Sequence, residues 1–137
     1  MIRLVFTVLA ALTLSAGSAF AQAKIEQVPI KNVSASDAKG MFDSYCAVCH
    51  GKAGKGDGPA AKALAKAPAD LTKISARNKG TFPDTRVRRY IQGLDEVAAH
   101  GSRDMPMWGS LFNSLNRDTA ELRVAALADY IKGMQAP

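Results

Sequence analysis

The chain has 137 residues, with 18 Lys and Arg against 12 Asp and Glu, two cysteines and two histidines. That length holds one domain, and the formal charge of +6 favours acidic partners without bearing on fold. With 47% of residues hydrophobic but only 7% aromatic, the core is short of large rings, so a domain this small is marginal unless something else fills its centre.

The first segment, MIRLVFTVLAALTLSAGSAFA, has a basic start at Arg3, an apolar run from Leu4 to Leu14 and an Ala19-Phe20-Ala21 ending. This is the pattern of a cleaved signal peptide over residues 1–21, and the run is shorter than the ~20 apolar residues a membrane span needs. Export is expected, to the periplasm, with no stable membrane span after cleavage. Residues 22–35 show little periodicity and are expected to be an extended lead-in to a single domain over residues 36–137.

A helix is expected from the SASDAKGMFDSYC stretch. Ser34 or Ser36 can cap it, Asp37 suits the positive end of its dipole, and Ala38, Met41, Phe42 and Tyr45 fall on one face. Gly40 within the run suggests the close approach of another backbone. GKAGKGDGPAAKALAKAPADL follows, rich in glycine, proline and lysine, and predicts a loop with one short helix around residues 60–67. It lacks the Gly-Lys-Ser/Thr ending of a phosphate-binding loop. A second helix is predicted at FPDTRVRRYIQG, with Val87, Tyr90, Ile91 and Leu94 as its stripe and Gly93 near its end. Arg86, Arg88 and Arg89 then form a solvated face, and nucleic acid is not expected as a partner. HGSRDMPMWGS breaks the pattern. The last helix opens at DTAE, where Asp118 and Glu121 have capping-box spacing, and carries Val124, Leu127, Ile131 and Met134. No alternating run is long enough for a sheet, so the fold class is all-α.

Both cysteines and one histidine lie within CAVCH, residues 46–50. Structural zinc wants four ligands, and the chain has no third cysteine, while its other histidine, His100, is far along the sequence. A dithiol redox pair belongs with a βαβ pattern, which is absent, and a plain disulfide leaves the histidine unexplained. Covalent haem attachment uses every residue of C-x-x-C-H. The two thiols add to the vinyl groups along one porphyrin edge, and the next residue turns an imidazole under the ring towards the iron. A covalently bound haem would also supply the missing bulk of the core.

The segments MFDSYCAVCHG, GDGPAAKAL, DMPMWG and LADYIKGM, in this order, resemble the landmarks of class I cytochromes c over nearly all of residues 36–134. The resemblance implies three main helices plus loops around one haem c, with the first and last helices crossing near a glycine and packed aromatics. Gly40, Phe42 and Tyr130 match those positions. Cys46 and Cys49 then bind the cofactor and His50 is the proximal ligand to iron. A Gly-Pro segment is expected to supply the carbonyl that orients this histidine, and Pro59 matches it.

Local chemistry leaves the sixth iron position open among Met105, Met107, His100 and no ligand. Pro106 lacks an N–H and pushes Met105 out of helical geometry, so either methionine can be presented sideways. The family pattern M-P-x-W-G places the ligand before the proline, which selects Met105. Trp108 is expected near the haem propionates or in another buried contact. His/Met ligation fills both axial positions and suits electron transfer rather than catalysis. The expected function is therefore a non-enzymatic carrier. It would move single electrons between redox proteins, from a donor dehydrogenase or cytochrome to an acceptor oxidase or reductase. Lys39, Lys52, Lys55, Lys62 and Lys66 could steer it to acidic docking surfaces. The alternatives are a haem enzyme or gas-binding sensor with an open site, and a haem subunit of a larger dehydrogenase or oxidase complex.

Overall fold

The computed structural model describes residues 30–95 and 105–136. The expected signal peptide, most of the lead-in and His100 lie outside the described residues. Helices and turns make up the regular structure, with no strand among the described residues.

Helix α1 (Ala38–Met41) runs through a π-helical stretch (Phe42–Cys46) into α2 (Ala47–His50). Its cap is neither serine: the Asp37 carboxylate accepts the Gly40 N–H at 2.8 Å, while Ser34 and Ser36 hydrogen-bond one another at 2.9 Å. Aspartate at this position satisfies a free helix-end donor and complements the dipole at once. A side chain added at Gly40 would meet that carboxylate first, so the glycine keeps the cap open. Met41, Phe42 and Tyr45 are buried, as their spacing predicts.

The glycine-rich loop contains one 3-10 turn, Ala61–Ala63, in place of the short helix expected over residues 60–67. A second 3-10 turn, Leu71–Lys73, leads into α3 (Ile74–Arg77), a short helix beyond the predicted loop and not among the expected elements. Helix α4 (Asp84–Gln92) buries Val87 and Ile91 and stops at Gly93. Leu94 therefore falls off the stripe and is 61% exposed. Each arginine of this helix has an internal partner: Arg88 pairs with Asp84 at 2.6 Å, Arg89 with Asp95, and Arg86 lies over the Tyr90 ring at 5.5 Å.

Helix α5 (Trp108–Leu115) begins inside HGSRDMPMWGS, where the sequence pattern predicts a break. After a 3-10 turn (Arg117–Thr119), α6 (Ala120–Gly133) closes the core with Val124, Leu127, Ala128 and Ile131. The Asp118–Glu121 capping box does not form, because the 3-10 turn places Asp118 ahead of the helix. The Asn116 side chain caps that turn through the Asp118 N–H at 2.9 Å, and Glu121 accepts from Gln92 Nε2 at 3.0 Å instead. Helix α6 packs on α1, α4 and α5. Its contact with the first helical segment is aromatic, Phe42 against Tyr130 at 5.3 Å between ring centres.

Arg123 is 4% exposed in this core and has no acidic partner among the described residues. It donates to the Val33 carbonyl at 2.5 Å and to Asn32 Oδ1 at 3.2 Å, and touches Met41 Sδ at 3.7 Å. Tyr45 reinforces the clamp by donating to the Lys31 carbonyl at 2.6 Å and accepting the Val33 N–H at 3.2 Å. The segment before α1 is thus strapped across α1 and α6. Arg123→Ala should cost about 2–4 kcal/mol in urea unfolding, from lost hydrogen bonds and the space left behind. Arg123→Met should cost clearly less, since it refills the volume without a buried charge.

Candidate functional site

The CAVCH residues occupy the end of the first helical segment. The π-helical stretch ahead of them is closed by the Ala47 N–H reaching the Phe42 carbonyl, one residue further back than in an α-helix. Each turn of such a stretch holds an extra residue, so it resets the direction in which Cys46, Cys49 and His50 point relative to Met41 and Phe42. Cys46 is buried, Cys49 is half-buried, and both thiols are free. Burial, aided by the neighbouring Cys49, pushes the Cys46 thiol up to about 12. Among the described residues no cluster of three or more His, Cys, Asp or Glu could hold a metal ion.

The loop after His50 turns back to satisfy the carbonyls of this last turn. Gly51 N donates to Ala47 O at 2.9 Å, Ala60 N to Val48 O at 2.9 Å, Gly58 N to Cys49 O at 3.1 Å, and Gly56 N to His50 O at 2.8 Å. The motif is therefore held from both sides, by the helix before it and the loop after it.

His50 Nδ1 lies 3.0 Å from the Ala69 carbonyl, and Nε2 makes no hydrogen bond among the described residues. Burial, partly opposed by that carbonyl, holds the imidazole below its ordinary pKa, so it is neutral at pH 7. The carbonyl comes from Ala69, just after Pro68, and not from the Gly58-Pro59 pair that the resemblance implied. The Gly58 carbonyl instead accepts the Ala61 N–H at 2.9 Å, within the 3-10 turn that follows. The Ala69 segment is brought in by Leu71 N, which donates to Gly54 O at 2.6 Å, and by Gln135, which donates to Leu71 O at 2.8 Å and accepts the Ser75 N–H at 2.8 Å. The end of the chain thereby orients the histidine.

Met105 lies on a separate segment without regular structure, 37% exposed, two residues before Met107, which opens α5. Neither methionine is part of the core. Trp108 is half-buried and packs on Tyr45 at 5.6 Å and Phe112 at 6.4 Å, an aromatic cluster beside the first cysteine. The donor set fits a covalently attached haem. It consists of two free thiols one turn apart, a neutral imidazole held by Nδ1 with Nε2 available, and thioethers not consumed by the core.

Helices of this number and order, with C-x-x-C-H at the end of the first and the last packed across it, define a class I c-type cytochrome domain. The chain belongs to the family described as cytochrome c oxidase, cbb3-type, subunit III, whose model matches residues 33–131. No curated protein and no solved structure matches the chain. A domain of this kind carries one covalently bound haem c with its iron, and acts as an electron carrier towards redox partners. Among the described residues no helix is long and apolar enough to cross a membrane.

Proposed function

We propose that the protein is an exported carrier of single electrons in which Cys46 and Cys49 form the thioether links and His50 and Met105 ligate the iron. The single observation that carries this reading is the hydrogen bond between His50 Nδ1 and Ala69 O, which leaves Nε2 to serve as a ligand. Haem iron supplies a one-electron couple when bound between such ligands. The chain's own residues hold that environment constant. Ala69 fixes the imidazole tautomer and raises its basicity, and the loop from Gly51 to Ala60 keeps the motif rigid through its hydrogen bonds. With both His50 and Met105 holding the iron, a substrate would have to displace one of them to bind it. Carbon monoxide offered to the reduced protein at neutral pH should bind slowly and weakly. Prompt, tight binding would contradict the carrier and favour an open-site haem enzyme or sensor.

The leader at residues 1–21 supports a periplasmic location, where donors such as a dehydrogenase or another cytochrome and acceptors such as an oxidase or reductase are within reach. Lys52, Lys55, Lys62 and Lys66 are exposed on or near the loop that embraces the motif, with Asp57 the only acid among them. Lys39 contributes less than its position in the sequence suggested, because it is paired with Asp43. Steering by this basic loop predicts that association with a redox partner slows severalfold between low salt and about 0.15 M, where the screening length is ~8 Å. A rate indifferent to salt would remove the steering and leave the carrier intact.

A second reading has one observation in its favour, the family description, which names an oxidase subunit. In that reading the same site relays electrons inside a stable complex rather than between diffusing partners. Isolation of the native assembly under mild conditions distinguishes the two, since a free carrier migrates alone.

A further inference from the structure

The segment that carries Met105 has no regular structure of its own, so something else must decide where its sulfur is presented. Two close approaches do so, and both land on consecutive residues at the end of α4. A side chain added at Gly93 would place its Cβ 2.6 Å from Met107 Cγ, 2.7 Å from Met107 Cβ and 3.1 Å from Met107 Cα. One added at Gly109 would lie 2.7 Å from the Gln92 carbonyl oxygen and 3.2 Å from Gln92 Cα. Distances this short cannot be met by turning a flexible side-chain tip, because backbone stands on the other side of each. The stretch from Met107 to Gly109 is therefore seated directly on Gln92 and Gly93.

That seat is rigid. Val87 and Ile91 bury α4 in the core, and Gln92 is tied to Glu121 of α6 at 3.0 Å. Gly93 ends α4 in the left-handed conformation, φ +80°, which glycine adopts without cost. Ser110 Oγ donates to the Met107 carbonyl at 3.0 Å and holds the first turn of α5 to the same point. Pro106 is the one residue between the seat and Met105. Its ring fixes φ, and it restricts Met105 to extended backbone, so placing Met107 also limits the direction of Met105.

We propose that the C-terminal end of α4 positions the axial methionine, with Gly93 and Gly109 as positioning residues that act through their contacts with Met107 and Gln92. The proposal rests on the reading of Met105 as a ligand. It also explains why Met107, whose Cα, Cβ and Cγ are used on Gly93, is not the residue presented.

Gly109→Ala tests the seat cleanly, because alanine improves the helix in which it lies and its φ is unstrained, leaving the contact with Gln92 as the only harm. Gly93→Asn is the second variant, since asparagine tolerates the left-handed conformation better than most side chains and brings the clash with Met107. Gly133→Ala is the control, with nothing within 4 Å of the added carbon. In oxidised haem-loaded protein, both seat variants should lose at least half of the far-red sulfur-to-iron charge-transfer band. In the reduced protein, carbon monoxide should bind at least tenfold faster. The helical circular dichroism should stay that of the parent, and Gly133→Ala should change neither readout. Seat variants with the band and binding rate of the parent, beside a Met105→Ala variant that has lost the band, would overturn the proposal. A helical signal that collapses together with the band would overturn it too, because the effect would then be global. A Met105→Ala variant that keeps the band removes the ligand reading itself, and the seat with it.

Discussion

Met105→Ala should abolish the far-red charge-transfer band of the oxidised protein, whereas Met107→Ala should leave it in place. The two residues are equally polarizable and similarly exposed, at 37% and 45%, so composition and burial do not separate them. Their surroundings do. Met107 opens α5 and rests on Gly93, and truncation to alanine keeps the Cα and Cβ that make most of that contact. Met105 stands ahead of Pro106 with its thioether outside the core. On the proposed ligation, loss of that sulfur should also lower the reduction potential, by on the order of 0.1 V or more within the ~0.8 V that axial ligation spans in haem proteins. Carbon monoxide should then bind the reduced variant readily, because the proposed ligand would be gone. A band that survives Met105→Ala and vanishes in Met107→Ala would move the ligand by two residues.

Replacement of both Cys46 and Cys49 by serine should have the larger effect on the protein as a whole. The thioethers are what keep the cofactor in the domain when it opens, and hydroxyls cannot replace them. Haem should then pass into the organic phase on acid–acetone extraction, where it stays with the parent protein. The thermal midpoint should fall well beyond the 4–8 °C that 1 kcal/mol represents in a domain of this size. The physical reason is the sparse core. Phe42, Phe112, Met41 and Leu127 are the largest fully buried side chains, too few to stabilise the domain with the cofactor gone. Single variants keep one thioether and should show an intermediate loss. Haem that remains attached in the double variant would show that other residues anchor it.

The first and last helices were legible because their apolar residues recur at helical spacing and occupy the core with little else to decide. Met41, Phe42 and Tyr45 are buried as the i, i+3, i+4 pattern requires, and so are Val124, Leu127 and Ile131. Helix α5 carries the same signal, Trp108, Leu111, Phe112 and Leu115, but Gly109 and Ser110 at its start fall in the stretch where the pattern breaks, and Asn113 and Ser114 weaken its helical propensity. Tertiary packing on α4 overrides that weak propensity. The π-helical stretch has no comparable signature, since the pattern that buries Phe42 and Tyr45 fits an α-helix as well.

The site was legible in its residues and less so in what supports them. C-x-x-C-H singles out three side chains by chemistry alone. The partner of His50 comes from Ala69, and a backbone carbonyl carries no side-chain signal. Arg123 could have been noticed, because it takes the place of an apolar residue four before Leu127 on the buried stripe. A charge there has to find hydrogen bonds, and it finds them in the segment ahead of α1.

The most direct test is the visible spectrum of the unaltered protein, exported from cells competent in haem maturation and purified in its oxidised form. One haem should remain with each chain under denaturing conditions, and the far-red band of sulfur-ligated iron should be present. Colourless protein, or coloured protein that surrenders its haem to organic solvent, would contradict the account at its root.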